Sequence, residues 1–288
     1  MIFIQGGASL QFAMTAFNFL TETGKAQYLD TGVWAFKAFK EASGLGDAEI
    51  VASSKDKNYS YIPKGYNIDP HSDYFHCTSN NTIYGAQLKE YPLTEVPVIC
   101  DMSSDIFSRP VDVAKFDLIY AGAQKNLGPA GATLVIVKKS ALGKSGRYIP
   151  AMLDYNTHIS KESMFNTPPV FSIYVSMLTL RWLKENGGVE AIHHKNEAKA
   201  ALLYHEIDRN PLFKGTVVKE DRSSMNACFL LKDEAAHKDA FNALITEARI
   251  NGLAGHRSVG GYRASMYNAL GQESVQVLVD CMKKLENK

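Results

Sequence analysis

The amino-acid sequence predicts an α/β protein, with a mostly parallel central sheet in a large domain and a smaller α+β domain at the C-terminal end. Short apolar segments alternate with amphipathic segments over the first two-thirds of the chain. Several apolar segments lack polar alternation, which is typical of parallel strands covered on both faces. After Pro168 and Pro169 the pattern changes to long amphipathic helices. We therefore divide the 288 residues into a large domain at 1–185 and a small domain, with its connecting helix, at 186–288.

The elements of the large domain are predicted from apolar spacing, β-branched content and turn residues. A short strand at 2–5 runs into a glycine turn, and apolar residues at helical spacing predict a helix at 9–20. A second helix at 33–42 ends before Gly44, a residue type common just after helices. Further strands are predicted at 26–30, 49–53, 74–78, 96–101, 116–121 and 133–137.

The C-terminal third is predicted to mix helices with strands. Two long amphipathic helices are expected at 172–185 and 190–208. The charged run at 195–199 is interpreted as a solvent-exposed helix face. His193 and His194 are interpreted as surface residues of the same helix, not as a metal site. The later elements are a strand at 227–231 and helices at 234–248 and 273–285.

Composition and charge exclude several classes of protein. The 31 Lys and Arg residues against 30 Asp and Glu residues leave a formal charge of +1, which argues against a dedicated nucleic-acid binder. No window approaches the roughly 18 consecutive apolar residues of a membrane span, and the first residues lack the pattern of a signal peptide. We expect a cytoplasmic protein that binds neither nucleic acid, nor a membrane, nor a metal. Four widely spaced cysteines form no CxxC pair and are expected to be reduced, buried thiols: Cys77, Cys100, Cys228 and Cys281.

An acid and an amine follow two neighbouring apolar strands. Asp101 ends the strand predicted at 96–101, and Lys125 comes shortly after the strand predicted at 116–121. Because ligands of open α/β sheets collect outside the carboxyl ends of the strands, we expect both side chains in one crevice. Such a pair suits pyridoxal phosphate, which forms a Schiff base with a lysine and pairs its ring nitrogen with an aspartate. From spacing alone, a surface lysine and an aspartate that opens a turn are the alternative.

The glycine turn at residues 6 and 7 precedes the first predicted helix. Free N–H groups at a helix start bind anions, and small residues such as Ala8 let a phosphate approach closely. The motif is neither a P-loop nor a dinucleotide fingerprint, and Ser9 alone could be a helix N-cap. Trp34 could stack on a cofactor ring or pack in the core.

Four segments, in sequence order, resemble the phosphoserine aminotransferase family. They are 4–12 (IQGGASLQF), 123–131 (AQKNLGPAG), 164–169 (MFNTPP) and 255–265 (GHRSVGGYRAS). The resemblance implies a class-V pyridoxal-phosphate enzyme of fold type I that forms a homodimer. The implied reaction transfers an amino group from O-phospho-L-serine to 2-oxoglutarate, which gives 3-phosphohydroxypyruvate and L-glutamate. This reaction belongs to serine biosynthesis, and a related one serves pyridoxine biosynthesis in some bacteria.

The resemblance also implies which residues hold the cofactor. Lys125 would form the Schiff base, and Asp101 would pair with the ring nitrogen. Ala8 and Ser9 would bind the cofactor phosphate. Trp34 would stack on the ring, and Thr82 would lie at the ring hydroxyl with Gln124 beside it. Asn166 and Thr167 would cross a dimer interface to the phosphate in the neighbouring subunit.

Three cationic residues are implied to bind the substrate. Arg263 would bind its α-carboxylate, while His256 and Arg257 would offer positive charge to the phosphate or distal carboxylate. Taken singly, the implied residues have plainer interpretations. Thr82 and Thr167 could be helix caps, and His256 with Arg257 could be a solvated pair in a loop.

Family members carry a further N-terminal segment before the glycine turn. It supplies a His-Arg pair for the substrate, the start of the small domain and part of the dimer contact. We expect this chain to lack that segment, through a mis-assigned start, a fragment or a true short form. Three alternatives stay open: another fold-type-I aminotransferase such as an alanine–glyoxylate type, a cysteine desulfurase, or a remnant that binds the cofactor without turnover. The cysteines argue against the desulfurase, because all four fall in predicted secondary structure.

Overall fold

Two β-sheets organise the chain in the computed structural model, which describes residues 1–287. The first sheet has seven strands and the second has three. The strands of the large sheet are β1 (Ile2–Ile4), β2 (Lys25–Asp30), β3 (Asp47–Ser53), β4 (Tyr74–Thr78), β5 (Val98–Asp101), β6 (Leu118–Gly122) and β7 (Thr133–Val137).

The large sheet is mostly parallel, as the sequence predicts. Its strand order is β1-β7-β6-β5-β4-β2-β3. The strands β3, β2, β4, β5 and β6 run parallel to one another, whereas β7 is antiparallel to both β6 and β1. Because β4, β5 and β6 are adjacent and parallel, their carboxyl ends lie together at one edge of the sheet. Open α/β sheets bind their ligands at this edge.

The helices divide between the two sheets. The first two pack on the large sheet, the fifth and sixth pack on the small one, and the seventh packs against the fifth and sixth. Within residues 1–287 the α-helices are α1 (Gly7–Phe19), α2 (Val33–Ser43), α3 (Tyr155–Ser160), α4 (Val170–Glu185), α5 (Gly188–Arg209), α6 (Glu234–Glu247) and α7 (Gln272–Glu286).

The small sheet has its own apolar core. It contains β8 (Phe213–Gly215), β9 (Asn226–Leu231) and β10 (Tyr262–Ser265), paired antiparallel in the order β10-β9-β8. Leu203 of α5 and Phe241 of α6 are fully buried against this sheet. Each side chain so buried contributes roughly 1.5–3 kcal/mol relative to an exposed one. This core is separate from the two apolar clusters that line the large sheet.

Every element that the sequence predicts is present within two residues of its expected bounds. The bounds of β4 and β7 are those predicted, and α5 is longer than predicted at both ends. The sequence prediction missed α3, β8 and β10, which have six residues or fewer. Such short elements carry little periodicity of their own, and pairing with distant parts of the chain determines them.

The predicted state of the cysteines is confirmed. All four are free and buried, and they lie in β4, β5, β9 and α7. His193 and His194 stack on each other on α5, with their ring centroids 5.9 Å apart. Residues 1–287 contain no cluster of His, Cys, Asp and Glu side chains that could hold a metal ion. No helix in the same part of the chain is long and apolar enough to cross a membrane.

The prediction that the charged run 195–199 faces solvent is wrong for Lys199. Lys195 and Glu197 are exposed, but the Lys199 side chain is only 1% exposed. It lies where α5 packs against the chain that follows β10, and its ammonium group donates to backbone carbonyls in place of water. Sequence spacing does not reveal such acceptors, because they belong to a segment far along the chain.

Removal of one leucine tests the core of the small sheet. Leu203 is 0% exposed, so Leu203→Ala should lower the free energy of unfolding by about 2–5 kcal/mol through lost packing and a residual cavity. Leu93 is 86% exposed, and Leu93→Ala should change it by about 0.5 kcal/mol or less. Urea denaturation followed by far-UV circular dichroism measures both. Equal losses in the two variants would contradict this description of the core.

Candidate functional site

Asp101 and Lys125 follow adjacent strands, as predicted. Asp101 is the last residue of β5 and lies in register with Tyr120 of the parallel strand β6. Lys125 comes three residues after the end of β6, in a turn closed by hydrogen bonds from Leu127 and Gly128 to the carbonyl of Ala123. The parallel pairing of β5 with β6 therefore brings a carboxylate and an amine to one edge of the sheet.

The Asp101 carboxylate is buried without a cation. It is 4% exposed and accepts a hydrogen bond of 2.9 Å from the backbone N–H of Ser103. Burial raises its pKa to about 6, although hydrogen bonds from Ser103 and Tyr120 oppose the rise. In the part of the chain that the structure describes, no Lys, Arg or His lies within ion-pair distance of Asp101. A protonated ring nitrogen would supply the missing positive charge.

The Lys125 amine is half-buried and free to react. Its Nζ lies 5.5 Å from the ring centroid of Tyr267. Neither a hydrogen bond nor an ion pair holds this amine within residues 1–287. Gln124, the preceding residue, is exposed beside it.

The glycine turn leaves the start of α1 open to an anion. Gly6 and Gly7 have φ of 94° and 63°, a left-handed conformation that favours glycine, and Gly6 is the N-cap. No side chain caps this helix, so the interpretation of Ser9 as an N-cap is wrong. The N–H groups of the first turn, including those of Ala8 and Ser9, therefore have no partner within the helix. A Cβ placed on Gly7 would meet nothing within 4 Å, which leaves room for a ligand.

Thr82 links the predicted ring-stacking residue to the predicted carboxylate-binding residue. Its hydroxyl accepts a hydrogen bond of 3.2 Å from Trp34 Nε1, and its carbonyl accepts one of 2.9 Å from Arg263 Nη1. Thr82 lies in a turn, so its interpretation as a helix cap is wrong. The Nε atom of Arg263 is buried without a partner among residues 1–287. An unsatisfied guanidinium donor fits a carboxylate ligand.

The segment with His256 and Arg257 folds towards Trp34. Val259, in the same loop, packs against a small cluster that includes Tyr84 and Trp34. His256 is half-buried, and its Nδ1 accepts a hydrogen bond of 3.2 Å from the backbone of Ser258. Arg257 is exposed. The loop therefore borders the site, but Arg257 shares no hydrogen bond with the other candidate residues in the described part of the chain.

Asn166 and Thr167 lie apart from Asp101 and Lys125. They precede α4 beside the edge of the large sheet, where the Thr167 carbonyl accepts a hydrogen bond of 2.7 Å from Gln5. Pro169 occupies the N-cap of α4, so the interpretation of Thr167 as a helix cap is wrong. Thr167 is exposed and Asn166 is half-buried.

Sequence reasoning missed three side chains near Asp101 and Lys125. The hydroxyl of Tyr120 lies 2.9 Å from His76 Nε2, and burial lowers the pKa of His76 to about 3, which keeps the ring neutral. Tyr267 lies against Lys125 although it is distant in sequence. The position of Tyr120 one strand from Asp101 was a usable signal, whereas nothing in the local sequence marks Tyr267.

Comparison with known proteins identifies the family of this chain. A model of the family described as Aminotransferase class-V matches residues 1–278. A phosphoserine aminotransferase of Flavobacterium psychrophilum is 64% identical over 287 residues, which cover 100% of this chain and 80% of that protein. A solved phosphoserine aminotransferase from Bacillus circulans subsp. alkalophilus has a TM-score of 0.95 at 46% identity, over 99% of this chain and 80% of that one. A PLP-bound phosphoserine aminotransferase from Trichomonas vaginalis has a TM-score of 0.92 at 37% identity, over 98% and 81%.

The burial of Asp101 makes a prediction for the stability of the ligand-free protein. Folding raises its pKa from 3.8 to about 6, so between these values the folded protein keeps a proton that the unfolded chain has lost. Stability from this group therefore falls as the pH rises through that window, by about 3 kcal/mol in total. Asp101→Asn cannot ionise, and should resist urea better than the unmodified protein at neutral pH.

The advantage of Asp101→Asn should disappear below pH 3.8, where the native carboxyl is also neutral. Urea denaturation of both proteins across this pH range measures the difference, and other titrating groups cancel between them. An unchanged difference at low and neutral pH would contradict the assignment.

Proposed function

Because the chain belongs to the class-V aminotransferase family, we propose that it is a pyridoxal-phosphate enzyme that transaminates O-phospho-L-serine. The reaction interconverts O-phospho-L-serine and 2-oxoglutarate with 3-phosphohydroxypyruvate and L-glutamate. In the direction that forms O-phospho-L-serine it is a step of serine biosynthesis, and with a related substrate it serves pyridoxine biosynthesis. The observation that carries the proposal is the buried, cation-free carboxylate of Asp101 beside the free amine of Lys125. The phosphoserine aminotransferases that it resembles support the choice of substrate.

The residues at the edge of the sheet fit pyridoxal phosphate. Asp101 would pair with the ring nitrogen, and the open start of α1 at Ala8 and Ser9 would hold the phosphate. Trp34 would cover the ring, with Thr82 and Gln124 at its hydroxyl side. When bound, the cofactor supplies an electron sink for the bonding electrons released at the substrate's Cα.

Lys125 and Asp101 have separate proposed roles, in proton transfer and in charge stabilisation. The Nζ of Lys125 would accept the proton from the substrate's Cα, which needs an amine that no other group engages. Asp101 would remain ionised because the protonated ring nitrogen would lie beside it in place of water. The attraction between two opposite charges is stronger in a buried site than in water. The aromatic ring of Tyr267 limits the space that the Lys125 amine can sample.

Substrate binding would depend on the arginines. Arg263 has a buried donor without a partner in residues 1–287, and a guanidinium grips a carboxylate through two parallel hydrogen bonds. His256 and Arg257 lie on the loop whose Val259 packs, like Trp34, against the cluster of Tyr59, Ile83 and Tyr84. We expect both to meet the phosphate or distal carboxylate. Cysteine-based chemistry is not supported, because all four thiols are buried within strands or a helix.

The proposal includes a cytoplasmic homodimer with a large domain at 1–185 and a small domain at 186–288. Asn166 and Thr167 would reach across the dimer interface to the cofactor phosphate of the neighbouring subunit. Next to them, Val170 and Phe171 at the start of α4 are 65% and 72% exposed. A second subunit seated there would remove this apolar surface from water.

Replacement of Lys125 tests the proposed function. Lys125→Ala should lose visible absorbance of covalently held pyridoxal phosphate and reduce the rate of glutamate formation from O-phosphoserine and 2-oxoglutarate by about a thousandfold or more, because it removes the proton carrier. Lys139→Ala, at an exposed lysine, is the matched control and should keep both properties. A Lys125→Ala variant that keeps both the visible absorbance and the activity would contradict the proposal.

The two arginines should differ in their effects on substrate affinity. Arg263→Ala should raise KM for O-phosphoserine and for glutamate alike, by roughly 10- to 100-fold, because both substrates carry an α-carboxylate. Arg257→Ala should raise KM for O-phosphoserine more than for glutamate. Steady-state kinetics with both amino donors measures this, with Arg249→Ala, at another exposed arginine, as control. Equal effects of Arg257→Ala on both donors would exclude its contact with the phosphate.

A further inference from the structure

The buried ammonium group of Lys199 is outside the site described above, and its role is unassigned. Its Nζ donates hydrogen bonds to the carbonyls of Met266 (3.1 Å), Tyr267 (2.9 Å) and Leu270 (3.0 Å). No carboxylate of residues 1–287 forms an ion pair with it. Burial lowers the pKa of Lys199 to about 8, so the group is still mainly charged at neutral pH. Burying a charge is costly, and here three carbonyl dipoles replace its water.

A second residue on α5 holds the same segment, 266–270. Asn196 lies one helical turn before Lys199, and its Nδ2 donates to the side-chain oxygen of Asn268 (2.9 Å) and to the carbonyl of Ser108 (3.1 Å). The side-chain amide of Asn268 in turn donates to the carbonyl of Phe107 at 3.0 Å. The helix therefore fixes this segment at two points.

Segment 266–270 reaches the reactive amine. The backbone N–H of Asn268 donates to the side chain of Asn126, next to Lys125, at 3.0 Å. The ring of Tyr267 lies 5.5 Å from Lys125 Nζ, and its hydroxyl accepts a hydrogen bond of 3.2 Å from Asn226. The position of this ring therefore depends on a backbone that Lys199 holds.

We propose that Lys199 is a positioning residue for Lys125: its buried ammonium group fixes segment 266–270 and so holds the Tyr267 ring against the Lys125 side chain. The inference deepens the proposed function, because it takes Lys125 as the amine that reacts with the cofactor. A lysine side chain has many rotamers, and a ring that removes most of them keeps Nζ where the cofactor's carbonyl arrives.

The rate of cofactor capture by the ligand-free protein tests this role. Lys199→Met keeps the length of the side chain but loses its charge and donors. The rate constant for capture of pyridoxal phosphate, followed by the rise in visible absorbance, should fall roughly tenfold. Tyr267→Leu should slow capture to a similar extent. If Lys199 acts through Tyr267, the double variant should be no slower than the slower single variant.

Two controls separate positioning from stability. Lys195→Met makes the same change at an exposed site on α5, and Ile192→Ala destabilises the same helix at a buried residue outside the apolar cluster that contains Met266. Lys195→Met should capture the cofactor at the unmodified rate, and a buried control is valid only below its unfolding temperature. Capture at that rate by Lys199→Met, despite a lower Tm, would overturn the proposal, as would single effects that multiply in the double variant.

A folding failure of Lys199→Met would not end the test. Lys199→Gln keeps two N–H donors without the charge, and its capture rate should lie between those of Lys199→Met and the unmodified protein; an unmodified rate would contradict the proposal. Failure of the proposed function itself is distinguishable, because the unmodified protein would then capture no pyridoxal phosphate, whatever residue 199 is.

Discussion

The site depends on one buried carboxylate that has no cation among residues 1–287. Asp101 ends β5 with its side chain almost fully buried, and that burial raises its pKa to about 6. Natural proteins rarely keep such a group, because an unpaired buried charge is costly. The cost is offset only when a ligand brings the opposite charge. The ring nitrogen of pyridoxal phosphate is such a ligand, and Lys125 at the end of the next parallel strand is the amine that would hold it.

The rest of the site is assembled around this carboxylate by long-range contacts. Thr82 joins Trp34 of α2 to Arg263 of β10 through two hydrogen bonds. Val259 packs the loop that carries His256 and Arg257 onto the same cluster. These contacts bring Trp34 and Arg263, the residues proposed to cover the ring and to bind the substrate carboxylate, to one turn. Under the proposed function, substrate binding and cofactor binding would both depend on this turn.

Much of the fold could be predicted from the sequence, but only part of the site. The sequence predicts the positions of Asp101 and Lys125, because apolar strands without polar alternation indicate a parallel sheet. The carboxyl ends of neighbouring parallel strands lie at one edge of such a sheet. The sequence does not predict the burial of Lys199, because its three carbonyl partners lie in a distant segment and a charged run normally faces solvent. Tyr267 could not be found for the same reason. Residues whose function depends on a neighbour far along the chain leave no local pattern.

The protonation of the cofactor's ring nitrogen tests the central claim most directly. Nitrogen-15 NMR of the protein loaded with pyridoxal phosphate labelled at that atom distinguishes the protonated from the neutral ring. If Asp101 is the anionic partner, the ring nitrogen is protonated at neutral pH in the unmodified protein and neutral in Asp101→Asn. A neutral ring nitrogen in the unmodified protein, or the same nitrogen chemical shift in both proteins, would contradict the account.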